Sequence, residues 1–257
     1  MATAPEIAAF ADTLLSTRDV PDFPGALNGL QVEGEGPVAA IAAAVDFSSR
    51  SVRGALARGA NFLILHHGAF WNSPERMTGA RYRLFRTVLE SKLAVYSSHI
   101  PLDCHPSLGN NVLLAKQFDL EPDGKFCHYR EIQIGVTGEA KLPLAELVER
   151  VRIFAEQNGG QIRHTPFDAN RITGRWAICS GAGADSSSLQ EARERGVSVL
   201  IVGEGAHHTA VAAEENGLVV IYAGHYATET PGVQALAKAL SEQFHLPWHF
   251  IPTPTGT

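Results

Sequence analysis

One pattern occurs twice in this chain of 257 residues and limits the folds open to it. Ala57-Arg58-Gly59 leads into the apolar run Phe62-Leu63-Ile64-Leu65, and Glu194-Arg195-Gly196 leads into Val199-Leu200-Ile201-Val202. In each copy a helix-compatible stretch is stopped by glycine and followed by a strand that is apolar throughout, as a strand covered on both faces of a parallel sheet must be. Helix-Gly-strand units recur in α/β proteins by convergence, so this match alone decides little. The likeness continues, however. Val95-Tyr96-Ser97-Ser98-His99-Ile100-Pro101-Leu102-Asp103 parallels Ile221-Tyr222-Ala223-Gly224-His225-Tyr226-Ala227-Thr228-Glu229. Each half thus ends a strand with His-x-x-x-carboxylate and then enters a helix holding Ala-Lys, at Ala115-Lys116 and Ala237-Lys238. Such self-similarity defines a repeat architecture. The expectation is an α/β protein of two related α/β halves packed face to face around an interdomain metal cleft, with ligands at the carboxyl ends of the strands.

The rest of the chain is read around that repeat. Thr3 and Glu6 have capping-box spacing, and apolar residues at helical intervals extend a first helix over 4–16. The Gly- and Pro-rich stretch 21–36 reads as a loop, 38–45 as a buried strand, and Asp46-Phe47-Ser48-Ser49 as the cap of a helix over 49–58. A helix over 81–92 leads to the strand at 93–96. Pro122-Asp123-Gly124 reads as a turn, residues 131–136 alternate as a strand does, 143–157 is helical, and a strand begins at 176. The spacing predicts a first domain of 1–125 plus 224–257, carrying most of the metal ligands, and a second of 126–223. Thr230 caps the last helix with Pro231 at its first position, which leaves His225 and Glu229 in the preceding loop.

The chemistry gathers at strand ends. His66, His67, Asp103, His225 and Glu229 supply imidazole and carboxylate and no thiolate, a donor set suited to Zn, Mn or Fe with open positions for water. Adjacent residues of a strand point to opposite faces, so His66 and His67 can serve one centre only where the strand ends. Splayed apart, they can serve two metals, with Asp103 and Glu229 as bridges. The expectation is two divalent metal ions per subunit. His99 holds the repeat position of His225 and is a second candidate, as a ligand or as a group orienting Asp103. Glu204, His207 and His208 follow the strand 199–202 in the repeat position of His66 and His67. Glu204 and His208, with His99, are the candidate acid/base residues, and a solvated loop is the alternative for Glu204, His207 and His208.

Composition closes off other classes. Asp and Glu outnumber Lys and Arg, 27 to 21, giving a net charge of −6 that disfavours a nucleic-acid surface. Arg81, Arg83 and Arg86 could grip a phosphate, although such a run is usually a helix's solvated face. No apolar run reaches the roughly 18 residues of a membrane span, and the first residues lack a basic start and an apolar centre. Cys104, Cys127 and Cys179 are odd in number and form no C-x-x-C pair, so they read as reduced, structural thiols of a soluble cytoplasmic protein. His105, His128, His164, His245 and His249 are read as structural. The stretch 180–183 lacks the residues of a nucleotide-phosphate loop.

Several motifs, in order along the chain, carry a resemblance. Leu27-Asn28-Gly29-Leu30-Gln31-Val32, His66-His67-Gly68-Ala69-Phe70-Trp71, His99-Ile100-Pro101-Leu102-Asp103, Gly109-Asn110-Asn111, Gly203-Glu204 and Gly224-His225-Tyr226-Ala227-Thr228-Glu229 resemble the dinuclear-metal-centre family of GTP cyclohydrolase type 2 homologues, the Ngg-interacting-factor-like proteins. The resemblance implies a toroidal homo-hexamer with two metals per subunit at His66, His67, Asp103, His225 and Glu229. Gly68 stands where many members have proline, and with Phe70-Trp71 it looks like the bacterial branch without an inserted central domain. A metal-dependent hydrolase acting on a nucleotide or related small molecule is implied. The alternative is a non-enzymatic ring that handles metal or binds partners.

Overall fold

The computed structural model describes residues 1–71 and 75–256. In chain order its elements are α1 (Ala4–Leu14), β1 (Gly29–Val32), β2 (Ile41–Asp46), α2 (Ser49–Ala57), β3 (Phe62–His67), α3 (Gly79–Glu90), β4 (Ala94–Ser97), α4 (Ile100–Asp103) and α5 (Asn110–Gln117). There follow β5 (Pro122–Tyr129), β6 (Ile132–Pro143), α6 (Leu144–Gln157), β7 (Arg163–His164), β8 (Ile172–Cys179), α7 (Ser186–Glu194) and β9 (Val199–Val202). The last are α8 (His207–Glu215), β10 (Val219–Tyr222), α9 (His225–Thr228), α10 (Thr230–Phe244) and β11 (Trp248–Phe250). No helix of the described residues is long and apolar enough to cross a membrane.

The chain divides into two α/β units, Met1–Leu102 with Gly232–Thr253, and Asp103–Pro231 with Pro254–Thr257. These bounds fall at 102/103 and 231/232, where the sequence reading placed 125/126 and 223/224. The difference comes from α5. Its residues Leu114 and Ala115, with Phe118 just after it, are fully buried among Leu147, Trp176 and Ile201 of the second unit.

In the first unit the sheet runs β1-β4-β3-β2-β11, parallel except for β1 on its edge. Strands β2, β3 and β4 are buried almost end to end, as parallel strands covered on both faces must be. Val52 and Ala55 of α2 and Phe85 and Val88 of α3 pack on Ala42, Ala44, Leu63, Leu65 and Val95. From α1, Asp12 accepts a hydrogen bond from the buried Tyr96 hydroxyl at 2.9 Å. The capping box of α1 forms as its spacing requires, with Thr3 N donating to Glu6 Oε2 at 2.7 Å. The stretch 21–36, expected as loop, contains β1. Gly29 at its start, with φ of 102°, takes a backbone conformation that a side chain would strain.

The second unit has the strand order β5-β6-β8-β9-β10-β7, with β8, β9 and β10 parallel and the rest antiparallel. Helices α5 and α6 cover one face, and α7 and α8 cover the other. Pro122-Asp123-Gly124 is not a turn but the start of β5. A register shift between Pro122 and Gly124 accommodates the proline, which has no N–H for the ladder.

Within the units the repeat takes the same local form twice. Helices α2 and α7 both end in a glycine with positive φ, Gly59 at 70° and Gly196 at 66°. In each, the following amide reaches back to the helix, Ala60 N to Ala55 O at 3.1 Å and Val197 N to Ala192 O at 2.8 Å. That closure turns the chain straight into β3 and β9.

Candidate metal centre

Three imidazoles of the first unit come together at the carboxyl ends of β3 and β4. His66 and His67 close β3, and His99 follows β4 by two residues. One ring nitrogen from each of the three lies within 4.8 Å of the others, close enough to share a metal ion. The rings of His66 and His67 are 4.9 Å apart, as are those of His66 and His99. Strand β3 does not stop before the pair but runs through His67, so both histidines belong to its last two positions. His66 is fully buried, His67 half-buried and His99 9% exposed. The ring of Trp71 stands edge-on to His67 and His99, with centroids at 5.4 and 4.7 Å, and Phe23 lies 5.7 Å from His99.

Each of these rings is held through Nδ1. His66 Nδ1 bonds the Ser98 carbonyl at 3.0 Å, His67 Nδ1 the Asp46 carboxylate at 2.8 Å, and His99 Nδ1 the Asp22 carboxylate at 2.8 Å. A carbonyl or carboxylate oxygen only accepts, so Nδ1 is the donor in each of these bonds, which fixes the tautomer of the neutral ring. This is the arrangement in which a protein presents histidine to a metal. Asp46, expected at a helix cap, instead faces His67 across the β2–β3 register. Ser48 is the cap of α2. The Nδ1 hydrogen bond of His99 runs to Asp22. Burial works against the charge of Asp22. The hydrogen bond and charge of His99, then Asn28 and the Phe23 N–H, outweigh it and hold the carboxyl below its ordinary value.

The run Asn28-Gly29-Leu30-Gln31 has a physical task here. Asn28 Nδ2 donates to Asp22 Oδ2 at 2.8 Å, and Asn28 Oδ1 accepts from His99 N at 2.8 Å. Gln31 Oε1 accepts from Ala69 N at 2.6 Å, pinning the turn after the histidine pair. Gly68 lies under that amide, where a Cβ would run into the Gln31 side chain.

The second unit brings its own set together at the ends of β8, β9 and β10. His225 and Glu229 do not lie in a loop: His225 opens α9 and Glu229 caps its end. His225 Nδ1 bonds Glu204 Oε1 at 2.8 Å, and His225 Nε2 lies 3.2 Å from Glu229 Oε1. Burial alone would lower the His225 pKa. Glu229 and then Glu204 overcome it and raise the pKa to about 9. Glu229 and Asp103 are 3% and 7% exposed, a setting in which a carboxylate needs polar partners. Asp103 Oδ1 accepts from Asn110 Nδ2 at 2.8 Å and from Ser180 Oγ at 3.2 Å. Gly181, with φ of 62°, passes so close that a Cβ there would run into Glu229 Oε1 and come within 3.2 Å of His225 Nε2. Its N–H donates to Thr228 Oγ1 at 3.0 Å. The stretch 180–183, unremarkable as a nucleotide loop, thus lines this set.

The remaining candidates fall outside these two sets. His208 is exposed on α8, and its neighbour His207 lines a cavity of about 450 Å³ in the second unit. Glu204, Arg163, His164 and Tyr222 also line it. Arg83 and Arg86 are exposed, whereas Arg81 bonds Glu75 and the Ala69 carbonyl and stacks on Phe85. Asp22, Asp46 and Ser180 escaped the sequence reading because their partners are distant in the chain. Only Asp46 left a trace, as a carboxylate ending a strand beside the His66-His67 strand.

A family model described as Duf34/NIF3 (NGG1p interacting factor 3) matches residues 5–256. A Pyrococcus abyssi protein described as a GTP cyclohydrolase 1 type 2 homolog is 41% identical over 252 residues, covering 98% of each chain. A Deinococcus radiodurans protein of the same description is 37% identical over 90% of this chain and 86% of its own. Among solved structures, the protein ybgI, described as of unknown function, superposes with a TM-score of 0.89 at 30% identity, covering both chains fully. HcgD of Methanocaldococcus jannaschii, in a structure described as reduced, gives a TM-score of 0.82 at 28% identity over 98% of each chain.

Proposed function

The chain belongs to the Duf34/NIF3 family, and from that premise we propose that it is a metal-dependent hydrolase with two divalent ions. The proposed ligands are His66, His67, Asp103, His225 and Glu229. One observation carries the reading. All four histidines of the two sets, His66, His67, His99 and His225, have Nδ1 tied to a carbonyl or carboxylate. Chance placement of histidines does not supply an acceptor to the same ring nitrogen four times, whereas metal ligation requires it to fix tautomer and orientation.

Bound divalent ions supply Lewis acidity, polarising the electrophile and acidifying water. The chain's own groups do the rest. Asp103, fixed by Asn110 and Ser180, and Glu229, close to Gly181, would supply carboxylate oxygens to bound ions. His99, backed by Asp22 as catalytic imidazoles are, is assigned the acid/base position. Glu204 orients His225, and Trp71 and Phe23 shelter the His99 side from water.

The cavity beside Glu204 supports a small polar substrate. Its size lies within the range of about 300–1,000 Å³ typical of ligand pockets, and Arg163, His164 and His207 offer donors to an anionic group. The descriptions of the relatives name GTP, and a nucleotide or related small molecule is the proposed substrate class.

The test is a turnover screen of metal-loaded protein against nucleotides and phosphoesters. The expected result is turnover lost in Asp103→Ala together with metal, and lost in His99→Ala with metal retained. Turnover that survives Asp103→Ala would contradict the assignment, and a metal-loaded protein inert to every substrate class would favour the metal-handling alternative.

A further inference from the structure

Cys127 and Cys179 stand on strands that are not neighbours, since β6 runs between β5 and β8, yet their Sγ atoms lie 2.8 Å apart. Two local features let them meet. Gly135, paired with Phe126 on β6, has no side chain where a Cβ would press on the Cys127 Cβ at 3.3 Å. Cys127 itself has φ of 63°, a left-handed conformation that breaks the regular alternation of β5. Side-chain direction along β5 is therefore reset at this residue.

The two thiols differ in access. Cys127 is half-buried, and Cys179 is 2% exposed within an apolar cluster that includes Ala177, Leu200 and Val202. The hydrogen bond from Cys179 to Cys127, then burial, then the charges of Asp103 and Asp185 push the Cys179 thiol well up. An accessible sulfur backed by a buried second thiol is the arrangement of an attacking and a resolving cysteine.

We propose that Cys127 and Cys179 form a peroxide-reactive dithiol, a modification site in the second unit that closes reversibly to a disulfide. The co-reactant is a hydroperoxide. The Cys127 sulfur attacks the terminal oxygen, the O–O bond breaks, and water or an alcohol leaves, so that Cys127 becomes a sulfenic acid. The Cys179 sulfur then attacks the Cys127 sulfur. The S–O bond breaks, and the departing hydroxide takes the Cys179 proton as water. With hydrogen peroxide the balance is two thiols oxidised by two electrons and one peroxide reduced to two waters. A thiol reductant returns both cysteines. The pair lies at a sensitive place, because Cys179 precedes Ser180, which donates to Asp103 and whose N–H bonds Asn111 Oδ1 at 2.8 Å. Neither the pairing nor its chemistry depends on the metal reading.

The test treats the full-length protein with stepwise hydrogen peroxide, blocks thiols with iodoacetamide and maps peptides without reduction. The expected product links Cys127 to Cys179, loses two of the three thiols, leaves Cys104 alkylated and reverts with dithiothreitol. In Cys179→Ser, Cys127 stops at the sulfenic acid and is captured by dimedone, and in Cys127→Ser the buried Cys179 stays reduced. Thermal unfolding of each variant shows that it folds. Oxidation of wild-type Cys127 to sulfinic acid with no link to Cys179 would overturn the proposal. So would equal peroxide reactivity of Cys179 in wild type and in Cys127→Ser.

Discussion

At the scale of single residues, the groups that decide the site are those behind the ligands. Asp46 and Glu204 each hold a histidine through Nδ1, and neither is needed for the fold's core. Replacement by the isosteric amide keeps the shape and removes the carboxylate charge behind the ring. Asp46→Asn and Glu204→Gln are each expected to weaken metal binding by about 10–100-fold, measured by competition against a chelating dye, with unchanged far-ultraviolet circular dichroism. His225 gives the metal-free protein a signature of its own. Its pKa in the folded state is about 9 against an ordinary 6.5, so the stabilising contribution is fully present below about 6.5 and is lost as pH rises to about 9. The gap in unfolding temperature between metal-free wild type and His225→Gln should therefore shrink across that window. A gap that widens would show that Glu229 and Glu204 do not hold the proton. Metal displaces that proton, so loading the protein should strengthen with rising pH over the same interval.

At the scale of elements, the strand ends were legible because composition reports them directly: a short apolar run stopped by histidine or by Gly-Glu can hardly be anything else. The helix-Gly-strand repeat was legible for the same reason, with Gly59 and Gly196 closing α2 and α7 in one geometry. What stayed hidden was set by tertiary contact. The one-turn helix α9 has no periodicity to read, so His225 and Glu229 passed for loop. Strand β5 begins with Pro122, a residue that signals a turn unless a register shift absorbs it. Helix α5 could not announce which sheet its Leu114 and Phe118 would join. Gly181 was hidden most deeply, since its task is to be small beside Glu229. Gly181→Ala is expected to abolish metal retention in the second unit's set, because the added methyl occupies the place of the Glu229 carboxylate and a φ of 62° is strained for alanine. Metal analysis of the purified variant checks this, and a variant that keeps wild-type metal would remove Gly181 from the account.

At the scale of the whole molecule, each of the two α/β units holds a cluster of candidate ligands whose residue types are present in the sequence as a repeat. The repeat paired His99 with His225 and Asp103 with Glu229. The structure adds that each of these histidines follows a sheet strand and is backed by a carboxylate, Asp22 or Glu204. Asp22 lies outside the repeat, whereas Glu204 follows β9 in the repeat position of the histidine pair. The first unit's proposed ligands, His66 and His67, are imidazoles, and those of the second, Asp103, His225 and Glu229, are chiefly carboxylate. Losing ligands from either cluster is expected to cost metal. The most direct measurement is the metal content of purified protein, by mass spectrometry of the elements, for wild type, His66→Ala, Glu229→Ala and the double variant. The account predicts about two divalent ions per chain in wild type and substoichiometric metal in every variant. Wild-type metal content in the double variant would contradict it.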